Sequence, residues 1–483
     1  MAESYSASHR KLGILACIGM IAAMSGCALH ADYSPPAMEM PKRWSEAQGA
    51  TRATELGHPF PDRWWTALHD FGINALVLAA FEDSPTVDEA VARTDEARAV
   101  LRGTGAQRLP SIQANSGAMR QQGAAAEAGQ TALSSDANAS LGLGYEVDLF
   151  GRVRESVRAA ENRLAARSAE VQGARLNLVA QVADGVVTLR ACEFSRRVRA
   201  LDIESRMQVL ELTRRRVAVG VDARVEESRA MNSLASARTD AALVTQACER
   251  QAYALYVLTG IEGVEVRSIV LGTGDENALP FMPTSPELPL PLSATVLVDH
   301  PDLVAANGDA AAAWSEIGVA RAARLPRIDL GAMLTGNWLR AAGSTVDFTT
   351  WSFGPTLAAP LLDGGAGASN VDAAEARYRA AEARLRLAVR RVVQEVEQAL
   401  VSEESSRTRM SSTQEALAAA RDTFLVTDRR WRAGATNLFE LEDARRQRSA
   451  AEDAAIAAAR DHVQAWIALI KAIGVVTPPI QNF

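Results

Sequence analysis

The chain has 483 residues and a net charge of −7, with both signs interspersed and no basic block, which argues against a nucleic-acid-binding surface. Aromatic residues make up only 5% of it while alanine is abundant, which favours long helices packed through small side chains over a thick globular core. The six histidines stand apart from zinc-ligand spacings, and there is no nucleophile elbow, phosphate loop or dinucleotide fingerprint, so neither an enzyme nor a bound cofactor or metal is expected.

At the N-terminus Arg10-Lys11 precedes an apolar run from Leu12 to Ala23, followed by Met24-Ser25-Gly26-Cys27. That is the layout of a secretory signal, residues 1–26, too short for a stable membrane span. Small residues before a cysteine resemble a bacterial lipobox, so Cys27 is expected to become the mature N-terminus and carry lipid. An ordinary signal with a chance cysteine is the alternative. Residues 27–66 are rich in proline and polar residues and read as an extended leader. Trp64-Trp65 then introduces a helix expected from Ala67 to Gly103, charged on one face by Asp88, Glu89, Arg93, Asp95, Glu96 and Arg98.

A β-hairpin is expected over about 110–149. In it Leu141, Leu143, Tyr145, Val147 and Leu149 alternate with Gly142, Gly144, Glu146 and Asp148, giving one apolar face and one polar or tiny face. From Arg152 to Arg216 there is no proline, and Val157, Leu164, Val171 and Leu178 recur every seven residues, as in coiled-coil packing. A helix of that length spans roughly 97 Å, far more than a globular domain needs. It is expected to turn at Gly220 and return to about Leu258, closing a unit of residues 67–260. Cys192 and Cys248 lie 28 residues on either side of Gly220 and so at equal height in that hairpin. An exported protein can oxidise such a pair, but height does not fix facing direction, and two buried free thiols are the preferred expectation.

Residues 261–300 are rich in glycine and proline and read as a connector with room for a short strand. A second unit, residues 301–474, repeats the first: a helix from Pro301 to about Ala323, a hairpin over about 326–361, and a long helical hairpin over 366–474 turning at Gly434. A tail, 475–483, follows. Ile328, Leu330, Ala332 and Leu334 alternate with Arg327, Asp329, Gly331 and Met333, and Val371, Tyr378, Leu385, Val392 and Ala399 keep the period of seven. The repetition is literal. Gly365 stands 214 positions after Gly151, Arg430 after Arg216, Gly434 after Gly220 and Gly474 after Gly260.

No segment after the signal is long and apolar enough for a membrane-spanning helix, so any crossing must use the strands. Four strands cannot close a barrel, and open edges are not tolerated in lipid. Membrane insertion would therefore require several chains to share one barrel. A soluble β-layer is the alternative reading of the same alternation.

With these elements in place, the residues resemble the TolC-type outer-membrane factor family, in its lipoprotein branch of NodT-like efflux components. The resemblance rests on Cys27 and Trp64-Trp65. It also rests on Tyr145-Glu146-Val147-Asp148-Leu149-Phe150-Gly151-Arg152, on His300-Pro301-Asp302-Leu303, and on Pro360-Leu361-Leu362-Asp363-Gly364-Gly365. The Arg-x-x-x-Gly pairs Arg216–Gly220 and Arg430–Gly434 complete it. It implies a mainly α fold with transmembrane β: a homotrimer whose 12-stranded outer-membrane β-barrel, four strands per chain, continues as a long periplasmic α-helical barrel. It implies a passive exit duct of a tripartite efflux system, anchored in outer-membrane lipid. The partners would be a periplasmic adapter (membrane fusion protein) and an inner-membrane transporter of RND or similar type.

On that basis Arg216, Asp222, Asp428, Arg430 and Arg432 are expected to form a periplasmic gate at the helix turns, Asp428 pairing with arginines between helices. Basic residues also favour helix C-termini through the macrodipole, which accounts for some of the arginines but not for Asp428. Arg216, Gly220, Arg430 and Gly434 are expected to dock the adapter, against the simpler reading of C-cap glycines. Glu146 and Asp148 are expected to line the pore as carboxylate rings that favour cations. The outer-membrane duct of a type I protein-secretion system uses the same fold, and a lipid-anchored periplasmic coiled coil without a barrel is the alternative of another class.

Overall fold

A computed structural model describes residues 31–37, 44, 63–124, 131–272, 282–286, 294–341 and 344–475. Cys27, the signal, most of the leader and the tail lie outside the described residues.

Each half of the chain contains a 22-residue helix, two strands and a long helical hairpin in the same order. After a 3-10 turn at Trp64–Leu68 come α1 (Phe71–Glu82) and α2 (Pro85–Ala106), then β1 (Ser111–Ala124) and β2 (Thr131–Val147). The long α3 (Arg152–Ala218) and its return helix α4 (Arg224–Thr259) follow. A short α5 (Gly263–Leu271) and a 3-10 turn at Ala294–Asp299 lead into the second half. That half holds α6 (Pro301–Ala322), β3 (Arg327–Ala341), β4 (Ser344–Ala358), α7 (Ala366–Arg432) and α8 (Leu438–Ile473). The duplication is metrical: α3 and α7 have 67 residues each, and α4 and α8 have 36 each. The matched glycines Gly151 and Gly365, Gly220 and Gly434, and Gly260 and Gly474 all adopt positive φ, where a side chain would be strained.

Three expectations need correction. The single helix from Ala67 to Gly103 is broken into a 3-10 turn and two α-helices. His69 is left-handed, the Asp70 carboxylate caps α1 by accepting from Ile73 N at 2.9 Å, and Ser84-Pro85 starts α2 with proline at its first helical position. Among its described residues the connector holds α5 and no strand. Cys192 and Cys248 are not free thiols: they form a disulfide joining α3 to α4, with their Cα atoms 5.4 Å apart. The two side chains face each other across the hairpin as well as sharing its height.

The compact units do not follow the repeats. Among the described residues, one unit falls within 1–37, 93–168 and 305–386 and the other within 38–92, 169–304 and 387–483, so each draws on both halves. The first holds a single antiparallel sheet in the order β1-β2-β3-β4, with β2 paired to β3 from Ser134↔Ala341 to Val147↔Ile328. The second holds the main apolar core. There Trp64, Leu68, Ile73, Leu76, Val182, Val186, Leu189, Leu255, Val396, Trp466 and Ile470 pack together, and Asp70 and Arg190 form a buried ion pair at 2.7 Å. Val157, Val171, Leu178, Leu385, Val392 and Ala399 are buried, as the sevenfold spacing requires.

Candidate functional site

The sheet separates its side chains by pleat. On one face Ile112, Leu141, Leu143, Tyr145, Ile328, Leu330, Leu334, Trp351, Phe353 and Leu357 form a continuous apolar surface. Trp351 is 78% exposed and Phe353 72%, so nothing among the described residues covers it. The opposite face carries Asn115, Ser140, Thr335 and Thr350 in one cross-strand row, and Ser111, Gly144, Gly331 and Gly354 in another. β1 and β4 are the free edges, and the sheet does not close on itself.

Where the polar face ends, Glu146 stands directly opposite Asp329. Arg152 donates to both oxygens of Glu146, Nε to Oε1 at 2.8 Å and Nη2 to Oε2 at 2.6 Å. Arg327 Nε donates to Asp329 Oδ2 at 2.8 Å. Asp148 lies beyond the end of β2, and its carboxylate is engaged by the first turn of α3, accepting from Val153 N at 3.0 Å and Arg154 N at 2.8 Å. The second half builds the same cap with Asp363, which accepts from Gly365 N and Gly367 N at 2.9 and 2.7 Å. These amide bonds, that from Gly367 foremost, hold the Asp363 carboxyl below the usual range. Glu146 and Asp148, expected as bare pore acids, each have a partner.

The two helix turns are alike in backbone and unlike in side chains. Gly220 N donates to Val217 O and Val221 N to Arg216 O; Gly434 N donates to Trp431 O and Ala435 N to Arg430 O. Both are Schellman caps, and the arginine of each Arg-x-x-x-Gly supplies the carbonyl that closes the cap. The Arg216 side chain is engaged: it pairs with Asp222 at 3.4 Å and lies over the Trp431 ring, 5.6 Å from its centroid. Arg430 is exposed and forms no ion pair among the described residues. Asp428 pairs with Arg432 at 2.7 Å, four residues on in the same helix. Within one chain Asp428 thus pairs along its own helix, at the i,i+4 spacing that helix geometry favours.

Sequence reasoning missed the contacts just above the turns. Val209, Leu210, Ala230, Leu234, Phe424, Trp431, Leu438 and Leu441 form a second, smaller apolar cluster. Beside it is a charged belt. Arg206 of α3 pairs with Asp202 at 2.8 Å and with Glu442 of α8 at 3.1 Å, and it also bonds Ser233 of α4. Arg445, fully buried, pairs with Glu442 at 3.1 Å and donates to Ser205 at 3.2 Å. Burial pushes its guanidinium pKa down, opposed by Glu442. An arginine on a helix normally reads as solvated, so no pattern marks it as interior. Among the described residues no cluster of three or more His, Cys, Asp or Glu is placed to hold a metal ion, and no helix is long and apolar enough to cross a membrane.

The sequence model of the family described as "Outer membrane efflux protein" matches residues 76–261 and 292–475, once in each half. The chain belongs to the outer membrane efflux protein family. It is similar to nodulation protein T of Rhizobium leguminosarum bv. trifolii, 26% identical over 461 residues, covering 93% of this chain and 95% of that one. It is 28% identical over 444 residues to the pyoverdine export outer membrane protein OpmQ of Pseudomonas aeruginosa, covering 90% of each. In fold it is similar to the Campylobacter jejuni CmeC outer membrane channel, with a TM-score of 0.83 over 94% of this chain and 96% of that one, at 20% identity. The expected fold class is thus that of the trimeric outer-membrane channels, each chain bringing four strands and two long helical hairpins. The protein is an efflux channel of the outer membrane that extends into the periplasm.

Proposed function

We propose that three copies of this chain form the passive exit duct of a tripartite efflux system. An inner-membrane transporter of RND or similar type supplies energy and cargo, and a periplasmic adapter bridges the two. One observation carries the reading. The four-stranded sheet exposes an apolar face and leaves both edges open, which only lipid outside and further strands at the edges can satisfy. Twelve strands from three chains meet both needs, and the polar face then lines water. Similarity to a pyoverdine export outer membrane protein favours efflux over protein secretion.

Within this reading Cys27 carries the lipid anchor. Undiminished palmitate labelling of a Cys27→Ala chain would remove it. Arg216, Asp222, Asp428, Arg430 and Arg432 hold the periplasmic tip shut, and an unchanged closed-state conductance in Asp428→Ala would exclude Asp428 from that role. Purification from outer-membrane detergent extracts tests the whole reading. A heat-modifiable trimer that conducts ions across planar bilayers supports it, and a soluble rod without conductance refutes it.

A further inference from the structure

Two like charges directly opposite on neighbouring strands repel each other, and this sheet places Glu146 opposite Asp329 on its polar face. Each is met by an arginine from the margin of the sheet. Arg152, the first residue of α3, forks onto Glu146; Arg327, the first residue of β3, folds onto Asp329. Asp148 does not add to this account, because its carboxylate is spent on the amides of α3. A cavity of about 560 Å³ opens at this level, lined by Glu146, Asp148, Arg152, Pro326, Arg327 and Pro360. Per chain, the Glu146 carboxylate lines that space together with two guanidiniums, and Asp329 stands beside Glu146 on the neighbouring strand.

We infer that Arg152 and Arg327 set the ion preference of the duct where its strands give way to helices, by cancelling the Glu146 and Asp329 charges that would otherwise form a cation-selective ring. The inference rests on the duct reading above. A bare ring of carboxylates draws cations and repels anions, whereas a ring of matched pairs passes both signs. The sequence expectation of a cation-biased lumen counted the acids on the strands and not the arginines that follow and precede them. Arg327 and Asp329 are partly open to solvent, so the effect belongs to low ionic strength and fades as salt rises.

The test is the reversal potential of single channels in planar bilayers under a dilute KCl gradient, comparing wild type with Arg327→Gln, Arg152→Gln, Asp329→Asn and the double variant Arg327→Gln/Asp329→Asn. Arg327 is half exposed and at a strand end, so Arg327→Gln keeps the channel assembled even if Arg152→Gln does not. Arg327→Gln should raise the cation-to-anion permeability ratio by about twofold or more. Asp329→Asn should lower it, and the double variant should return towards wild type. Variant channels that conduct with an unmoved ratio would overturn the inference while leaving the duct intact. A wild-type protein that does not conduct would overturn the duct reading itself.

Discussion

Arg216, at the end of the first long helix, lies over the ring of Trp431, at the end of the second, with its guanidinium carbon 5.6 Å from the ring centroid. This contact ties the two helix turns of one chain together through side chains 215 positions apart in sequence. Trp431 is also the largest member of the small apolar cluster beside the turns. Trp431→Ala should therefore loosen both turns at once, costing about 3–5 kcal/mol locally. Hydrogen–deuterium exchange should quicken around Gly220 as well as Gly434. Faster exchange confined to the second turn would mean that Arg216 holds nothing.

The same engagement separates the two arginines expected to dock the adapter. Arg216 is tied to Asp222 and Trp431, while Arg430 is exposed. Arg430→Ala should weaken site-specific crosslinking to the periplasmic adapter about tenfold, the loss of one charged contact of roughly 1.4 kcal/mol, with trimers unchanged. Arg216→Ala should act mainly by loosening the turn. Equal losses from both, with no change in exchange at the turn, would contradict this division.

Legibility followed distance along the chain. Period two in Leu141–Val147 and period seven in Val371–Ala399 gave the strands and long helices, because each depends only on near neighbours and one buried face. The break at Ser84-Pro85 had a local mark, proline at a helix start, but the charged face from Asp88 to Arg98 lies wholly beyond it and does not say where the helix begins. The Asp428–Arg432 pair was written in its own spacing. By contrast, nothing local to Arg216 names Trp431, and nothing local to Arg445 says that Ser205 of α3 accepts from it. Equal height placed Cys192 near Cys248, but the rotation of each helix about its axis decided that they bond.

That bond closes a segment with a sequence separation of 56 inside one helical hairpin. Reduction, or Cys192→Ala with Cys248→Ala, should lower unfolding stability by about 2–5 kcal/mol while leaving the helices formed, since Cys248 sits in the main apolar core. Chemical unfolding with and without reductant reads this directly. Superimposable curves would show that packing alone sets the hairpin.

Stability should also fall in mild acid. Burial pushes the imidazole of His300 below its ordinary range, opposed by Asp302, and Asp302 N donates to its Nδ1 at 3.2 Å, which keeps that nitrogen unprotonated. His462 is lowered for the same reason, with Glu403 opposing. The folded histidines resist a proton that the unfolded chain accepts below about pH 6.5, so their contribution is present above that pH and is lost as the pH falls towards their folded values. Unfolding stability should drop between about pH 7.5 and 5.5, and His300→Asn should flatten the slope. An unaltered slope in that variant would assign the acid sensitivity elsewhere.

The central claim is that three chains pool their open sheets into one closed wall. Native mass spectrometry of the detergent-extracted protein counts the chains. Three per particle is the predicted result. A single chain, folded and stable in water with Trp351 and Phe353 shielded from solvent, would contradict it.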